Sequence, residues 1–195
     1  MVPFIGLTGG IGAGKSAALD ALGRLGAAVL STDAVVHELY ESPEVKDAVV
    51  ARFGPSVLSG GSVDRAQLAT RAFAAPDDRA WLEGLLWPRV GARMLAWRER
   101  LEHALAPPRA AVVEVPLLFE ADMAGAFDAT IAVVADEGVR GRRAAGRGHQ
   151  ALDERSARQL SQQEKAARAT YVVVNDGTLD ELQSQLAAIV EMLQQ

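Results

Sequence analysis

Thr8-Gly9-Gly10-Ile11-Gly12-Ala13-Gly14-Lys15-Ser16 satisfies the pattern Gly-x-x-x-x-Gly-Lys-Ser and stands between an apolar run and an amphipathic run. It reads as a phosphate-binding loop. Its glycines let the backbone turn and bring successive N–H groups up to a polyphosphate with no Cβ in the way. A helix starting near Ser16 adds the positive end of its dipole, Lys15 supplies a mobile charge for the β and γ phosphates, and the Ser16 hydroxyl is a Mg²⁺ ligand candidate. The competing reading is a glycine-rich strand-to-helix turn with a chance lysine. Context favours the nucleotide site: Val2-Pro3-Phe4-Ile5-Gly6-Leu7 is a short apolar strand, and Ala17, Ala18, Leu19, Leu22 and Leu25 follow at helical spacing.

Working outward, 195 residues with 49% hydrophobic content bury one substantial core, and no Ser/Gly/Pro-rich linker divides the chain. The expectation is a single domain over 1–195 with an insertion. There is no cysteine, so disulfides, thiol catalysis and zinc–thiolate sites are excluded, and the three histidines His37, His103 and His149 are scattered. The longest stretch free of Asp, Glu, Lys and Arg is residues 1–14, too short to span a membrane. A soluble, cytoplasmic protein is expected, with no membrane partner. A net charge of −5 argues against nucleic acid as a partner, while Arg140, Arg142, Arg143, Arg147, Arg155, Arg158, Lys165 and Arg168 concentrate positive charge over residues 140–168. A local basic stretch suits one anionic ligand better than a polymer. Arg143 and Arg147 lie four apart and share a helix face, so both can reach one phosphate group.

Ala27-Ala28-Val29-Leu30 is a second apolar run, ending at Ser31-Thr32-Asp33. A carboxylate at the carboxyl end of a parallel strand is a candidate for chemistry. Asp33 is equally a helix N-cap before Ala34-Val35-Val36-His37-Glu38-Leu39, and the residues alone favour the cap. Residues 42–75 read as helical, with a turn at Phe53-Gly54-Pro55, a flexible Ser59-Gly60-Gly61-Ser62 and a capping-box start at Asp64-Arg65-Ala66-Gln67. A helix opening at Pro76 is expected to kink or end at Pro88. The mostly helical span of about 34–106 is the insertion. Ala110–Val115, Ala129–Val134 and Tyr171–Val174 read as buried parallel strands alternating with helices, which predicts an α/β fold with a parallel, doubly wound sheet.

With these pieces placed, the chain resembles dephospho-CoA kinases from end to end. The likeness rests on the phosphate loop, Asp33 in an Asp-x-x-x-His-x-Leu setting, Phe53-Gly54, Asp64-Arg65-x-x-Leu68 and Pro116-Leu117-Leu118-Phe119-Glu120. Arg143, Arg147, Gln159, Lys165 and Asn175-x-Gly177 extend it. The resemblance implies a five-stranded parallel sheet of the P-loop nucleotide-kinase type, an inserted acceptor domain and a lid at about 137–168. It implies transfer of the ATP γ-phosphoryl group to the 3′-hydroxyl of dephospho-CoA, with Mg²⁺, as the last step of coenzyme A synthesis. Carried over, it makes Gly9, Gly12, Ala13, Gly14, Lys15, Ser16 and Ala17 the ATP loop. Asn175 and Gly177 border the adenine, Asp33 is the base, and Lys15, Arg143 and Arg147 are the catalytic cations. His37, Arg65, Pro116, Leu117 and Leu118 line the acceptor side. The chain departs from the family pattern at Ala17, Ser31, Trp87 and Glu114, and runs about three residues short between Arg147 and Arg155. The residues by themselves stop at a P-loop kinase, so another small-molecule or nucleotide kinase is the alternative, and a nucleotide-binding switch a more distant one. Lys15 is expected to be solvated when the loop is empty.

Overall fold

A computed structural model of the chain describes residues 1–145 and 159–194. In chain order β1 (Phe4–Gly9) leads through the loop to α1 (Lys15–Arg24), β2 (Ala28–Ser31), α2 (Thr32–Glu41) and α3 (Pro43–Phe53). A 3-10 turn at Pro55–Val57 precedes the short pair β3 (Leu58–Ser59) and β4 (Ser62–Val63), then α4 (Arg65–Ala72) and α5 (Pro76–Glu102). After these come β5 (Ala111–Glu114), β6 (Ala129–Val134), α6 (Glu137–Ala145), α7 (Gln162–Arg168), β7 (Tyr171–Val174) and α8 (Leu179–Met192). Two compact units result: Met1–Ser31 with Arg98–Gln195, and Thr32–Trp97.

The first unit is built on a five-stranded parallel sheet in the order β2-β5-β1-β6-β7. β1 is central and buried along its whole length, which is why its sequence is apolar throughout rather than alternating. It begins at Phe4 rather than Val2, because Pro3 has no N–H to give and offers only its carbonyl, to Ala111. It also runs on to Gly9, where pairing with β6 ends at Val133. Ile5, Leu7, Val112, Ile131 and Val133 form one face of the sheet and pack with Ala18, Ala21 and Leu22 of α1 and Leu182, Leu186 and Val190 of α8. On β1 the other side chain position is taken up differently. A Cβ on Gly6 would meet Leu118 Cδ1 at 2.4 Å and the Phe127 ring at 3.0 Å, so glycine there lets two large residues lie flat on the strand. Phe127 also stacks on Phe4 at 4.8 Å. Arg98 places its guanidinium 4.7 Å over the Phe4 ring and 3.5 Å from Asp128.

Two glutamines finish strands with their side-chain amides. Gln162 accepts from the Ala135 N–H and donates to the Ala135 carbonyl, both at 2.9 Å. Gln185 does the same for Val174 on the outer strand β7, at 3.0 and 2.8 Å. Each amide acts as one residue of an added strand, satisfying backbone that would otherwise rely on water.

The second unit is mostly helical. Ser42 caps α3 through the Val45 N–H, with Pro43 in the first turn where its missing donor costs nothing. The expected flexible segment at 59–62 is instead a hairpin: Leu58 pairs with Val63 and Ser59 with Ser62, across a Gly60-Gly61 turn with both φ angles positive (59° and 88°). That is the conformation whose twist suits a two-residue hairpin loop. Asp64 then caps α4 through the Ala66 and Gln67 N–H groups. The Gln67 bond holds the Asp64 carboxyl below its usual value, so the cap contributes at neutral pH and is lost as pH falls through that lowered value. α5 does not end at Pro88. The proline and Gly84, whose carbonyl it leaves without a helical donor, are both exposed, and beside them the Arg89 guanidinium donates to the Leu85 carbonyl at 2.7 Å while also pairing with Glu44. Leu82, Leu86, Val90 and Met94 form the buried stripe of the helix. Among the described residues no helix is long and apolar enough to cross a membrane.

Candidate active site

The loop that follows β1 ends at Gly14, which caps α1 with a left-handed backbone (φ 96°, ψ 31°) and no side-chain capping bond. The first amides of α1 therefore point outward with no acidic residue in the first turn to compete for them, the arrangement that favours an anion. Gly14 is also required sterically. A Cβ there would stand 2.0 Å from the Asn175 amide nitrogen, which donates to the Ala13 carbonyl at 2.8 Å.

The loop carbonyls are held by side-chain donors. Lys15 Nζ donates to Gly9 at 2.9 Å and Gly10 at 3.2 Å, Arg140 Nε to Ile11 at 2.9 Å, and Asn175 Nδ2 to Ala13. Lys15 is thus folded back on its own loop rather than solvated as expected, its ammonium taking the nearest carbonyl oxygens. Every peptide bond here is trans. Turning the carbonyls toward these donors turns the following N–H groups the other way, as a phosphate cradle needs. Ser16 is exposed in the first turn of α1, and Ala17 behind it is half-buried.

Around the loop stand residues of α6 and of the segment after β7. Arg143 Nη1 donates to the Asn175 carbonyl at 3.0 Å, so Arg143 and Asn175 are brought together beside Gly14. Asn175 is itself buried and committed to the loop backbone. Gly177 lies against the Glu181 carboxylate, which closes the capping box of α8 with Thr178. A cavity of about 530 Å³ opens beside it, lined by Val174, Asp176, Gly177, Asp180 and Gln185 among others. Arg147 lies outside the described residues, as does the segment up to Arg158.

Beneath the loop lies a group of residues that the sequence did not single out for this task. Lys165 is fully buried. Its Nζ reaches a Glu120 carboxylate oxygen at 2.8 Å, the Pro116 carbonyl at 2.8 Å and the Thr8 hydroxyl at 3.4 Å. The Thr8 hydroxyl donates to the Pro116 carbonyl at 3.2 Å, and Glu120 also accepts from the Leu160 N–H. One buried ion pair thus ties the residue just before the loop to the 116–120 segment and to the chain entering α7. Pro116 and Leu117 remain partly exposed. Leu118, expected on the acceptor side, is in the core against Gly6 and offers no surface to a ligand. Glu114, at the end of β5, lies in register with Leu7 and Ser31.

In the second unit Asp33 is the second residue of α2, two positions past the N-cap place that Ser31 occupies. It remains in the first turn, where a carboxylate is favoured by the helix dipole. His37 follows one turn later, and both are exposed on one face. Arg65 is exposed at the start of α4, next to its cap. Trp87, beside Pro88, is 53% exposed.

Comparison with known proteins places these features in a family. Residues 3–181 match the family model for dephospho-CoA kinase. The dephospho-CoA kinase of Deinococcus radiodurans is 42% identical over 97% of this chain and 92% of its own length. Among solved structures, TT1252 from Thermus thermophilus is 35% identical with a TM-score of 0.79, covering 98% of both chains. The dephospho-CoA kinase from Campylobacter jejuni, 22% identical over 100% of this chain and 98% of its own, shares the fold with a TM-score of 0.71.

Proposed function

The chain belongs to the dephospho-CoA kinase family, and from that membership we propose that it transfers the γ-phosphoryl group of ATP to the 3′-hydroxyl of dephospho-CoA, giving coenzyme A and ADP. The observation that carries the ATP half is the loop with its carbonyls drawn outward by Lys15, Arg140 and Asn175 and its uncapped helix behind. The acceptor half follows from the family. Phosphoryl transfer asks a protein mainly for alignment and for positive charge on the equatorial oxygens, since the transition state is loose.

In this reading Gly9, Gly12, Ala13, Gly14, Ser16 and Ala17 cradle ATP, with the 175–177 loop toward the adenine. Lys15 exchanges its two loop carbonyls for β- and γ-phosphate oxygens. Among the described residues no three His, Asp, Glu or Cys side chains gather into a metal site. That suits Mg²⁺ arriving on the phosphates, with the exposed Ser16 hydroxyl as the ligand this chain adds. The ion, when bound, neutralises charge on the β and γ oxygens. Arg143, and Arg147 with it, act as lid cations within about 137–168. The unit Thr32–Trp97 serves as the acceptor insertion, where Asp33 accepts the ribose proton and His37 and Arg65 contact dephospho-CoA; Pro116 and Leu117 are carried over from the family as acceptor-side residues. The expected setting is the cytoplasm.

A coupled assay of ATP against dephospho-CoA, with adenosine, AMP and shikimate alongside, tests the acceptor. Turnover with dephospho-CoA alone is expected; faster phosphorylation of any of the other three overturns the assignment. Asp33→Asn tests the base. With its carboxylate in the first turn of α2, the loss of charge costs up to about 1 kcal/mol, a fall in Tm of no more than about 4 °C. The kcat is expected to fall about 10²-fold, the low end of general-base contributions, because a loose transition state draws on the base late. Retention of more than about a third of parental kcat would remove Asp33 from the chemistry.

A further inference from the structure

α6 meets the phosphate loop through its backbone as well as its side chains. A Cβ on Gly12, whose φ is 76°, would stand 2.6 Å from the Arg140 carbonyl oxygen, so helix and loop are in direct contact there. From the same residue Nε reaches the Ile11 carbonyl at 2.9 Å, and Nη2 lies 3.1 Å from the place a Gly10 Cβ would take. Arg140 is itself held firmly. Its N–H donates to the Asp136 carbonyl at 2.9 Å, the Asp136 carboxylate caps the turn through Gly138 and Val139, and the Asp136 N–H donates to the Asp176 carboxylate. The guanidinium is therefore aimed by an ordered turn rather than swung from a loose arm.

The Ile11–Gly12 peptide is trans, so the Gly12 N–H points away from the carbonyl that Arg140 holds. We propose that Arg140 is a positioning residue of the nucleotide site: through the Ile11 carbonyl it presents the Gly12 amide to the phosphate chain, and it sets a fixed positive charge beside Gly10. The proposal rests on the ATP-kinase reading and adds Arg140 to the cations Lys15, Arg143 and Arg147 as one that acts on binding of the phosphates rather than on the acceptor.

The test is titration of the full chain with ATP, ADP and dephospho-CoA, each alone, for Arg140→Met and Arg140→Lys. Methionine keeps the aliphatic stem over Gly10 and removes every donor. Loss of a charge-assisted hydrogen bond and its charge should raise the Kd of ATP and of ADP about 10- to 30-fold. The Kd of dephospho-CoA should stay within about twofold, and lysine, which keeps the charge and one donor, should recover most of the ATP affinity. An ATP Kd within about twofold of the parent in folded Arg140→Met overturns the proposal, as does an equal loss for ATP and dephospho-CoA, which would make Arg140 only a fastener of α6. Should Arg140→Met fail to fold, Arg140→Gln is titrated in its place, and parental ATP affinity there is equally fatal. Since ATP is titrated without acceptor, a parental protein that binds ATP but leaves dephospho-CoA unphosphorylated refutes only the acceptor assignment. The Arg140 effect on ATP would stand.

Discussion

Replacing Lys15 with methionine should lower kcat/KM for ATP about 10³-fold, the scale set by removing a preorganised charged donor from a developing oxyanion. The structure sharpens what is lost. Lys15 Nζ spans the Gly9 and Gly10 carbonyls at 2.9 and 3.2 Å, so the ammonium is parked at the loop and has only a short distance to move when phosphates displace it. Methionine matches the stem but leaves those carbonyls without their ammonium donor on a half-exposed loop, where water can replace it. The fold should therefore persist, with Tm lower by no more than about 4 °C and an unchanged circular dichroism spectrum. A loss of less than about tenfold would mean that Lys15 is a loop brace and nothing more.

Lys165→Met should act in the opposite manner, with a large loss of stability. The ammonium is fully buried, and the Glu120 side chain it meets is only 13% exposed. Removing one partner of such a pair leaves an uncompensated buried charge, which costs about 3–5 kcal/mol, or roughly 10 °C in Tm for a domain of this size. The double variant Lys165→Met with Glu120→Leu should regain at least half of that loss, because two apolar residues of similar volume dispense with the desolvation of both ions. Thermal unfolding of the two singles and the double closes the cycle. If Lys165→Met melts within about 1 °C of the parent, the pair contributes nothing to the fold.

The loop and its strand were legible because their chemistry is local: glycines, Lys15 and Ser16 stand in fixed order after an apolar run, and the buried strands β1, β5 and β6 spell out their own burial. What escaped was non-local. Lys165 and Glu120 stood out only as residues shared with the family, and the ion pair between them joins positions 45 apart. Arg140 could be seen as one of a run of basic residues, but periodicity alone paired Arg143 with Arg147. Only the packing of α6 on Gly12 shows which arginine lies on Ile11. The β3–β4 hairpin has two residues per strand, too few for alternation to register, so Gly60-Gly61 looked like slack. Pro88 misled for a related reason: it and Gly84, whose carbonyl loses its helical donor, are both exposed, so the helix runs on past it, and no propensity scale encodes that exposure.

The amide of Gln185 on Val174 has a bearing on how the protein behaves among copies of itself. β7 is the rim of a parallel sheet, with Val172 and Val174 at 44% and 47% exposure, and a rim of that kind is a template onto which a foreign strand can be laid. With the N–H and carbonyl of Val174 already taken, an incoming strand would have to evict the glutamine before its last rungs could form. A single side chain thus serves as a steric and chemical stop against sheet-to-sheet growth in crowded solution.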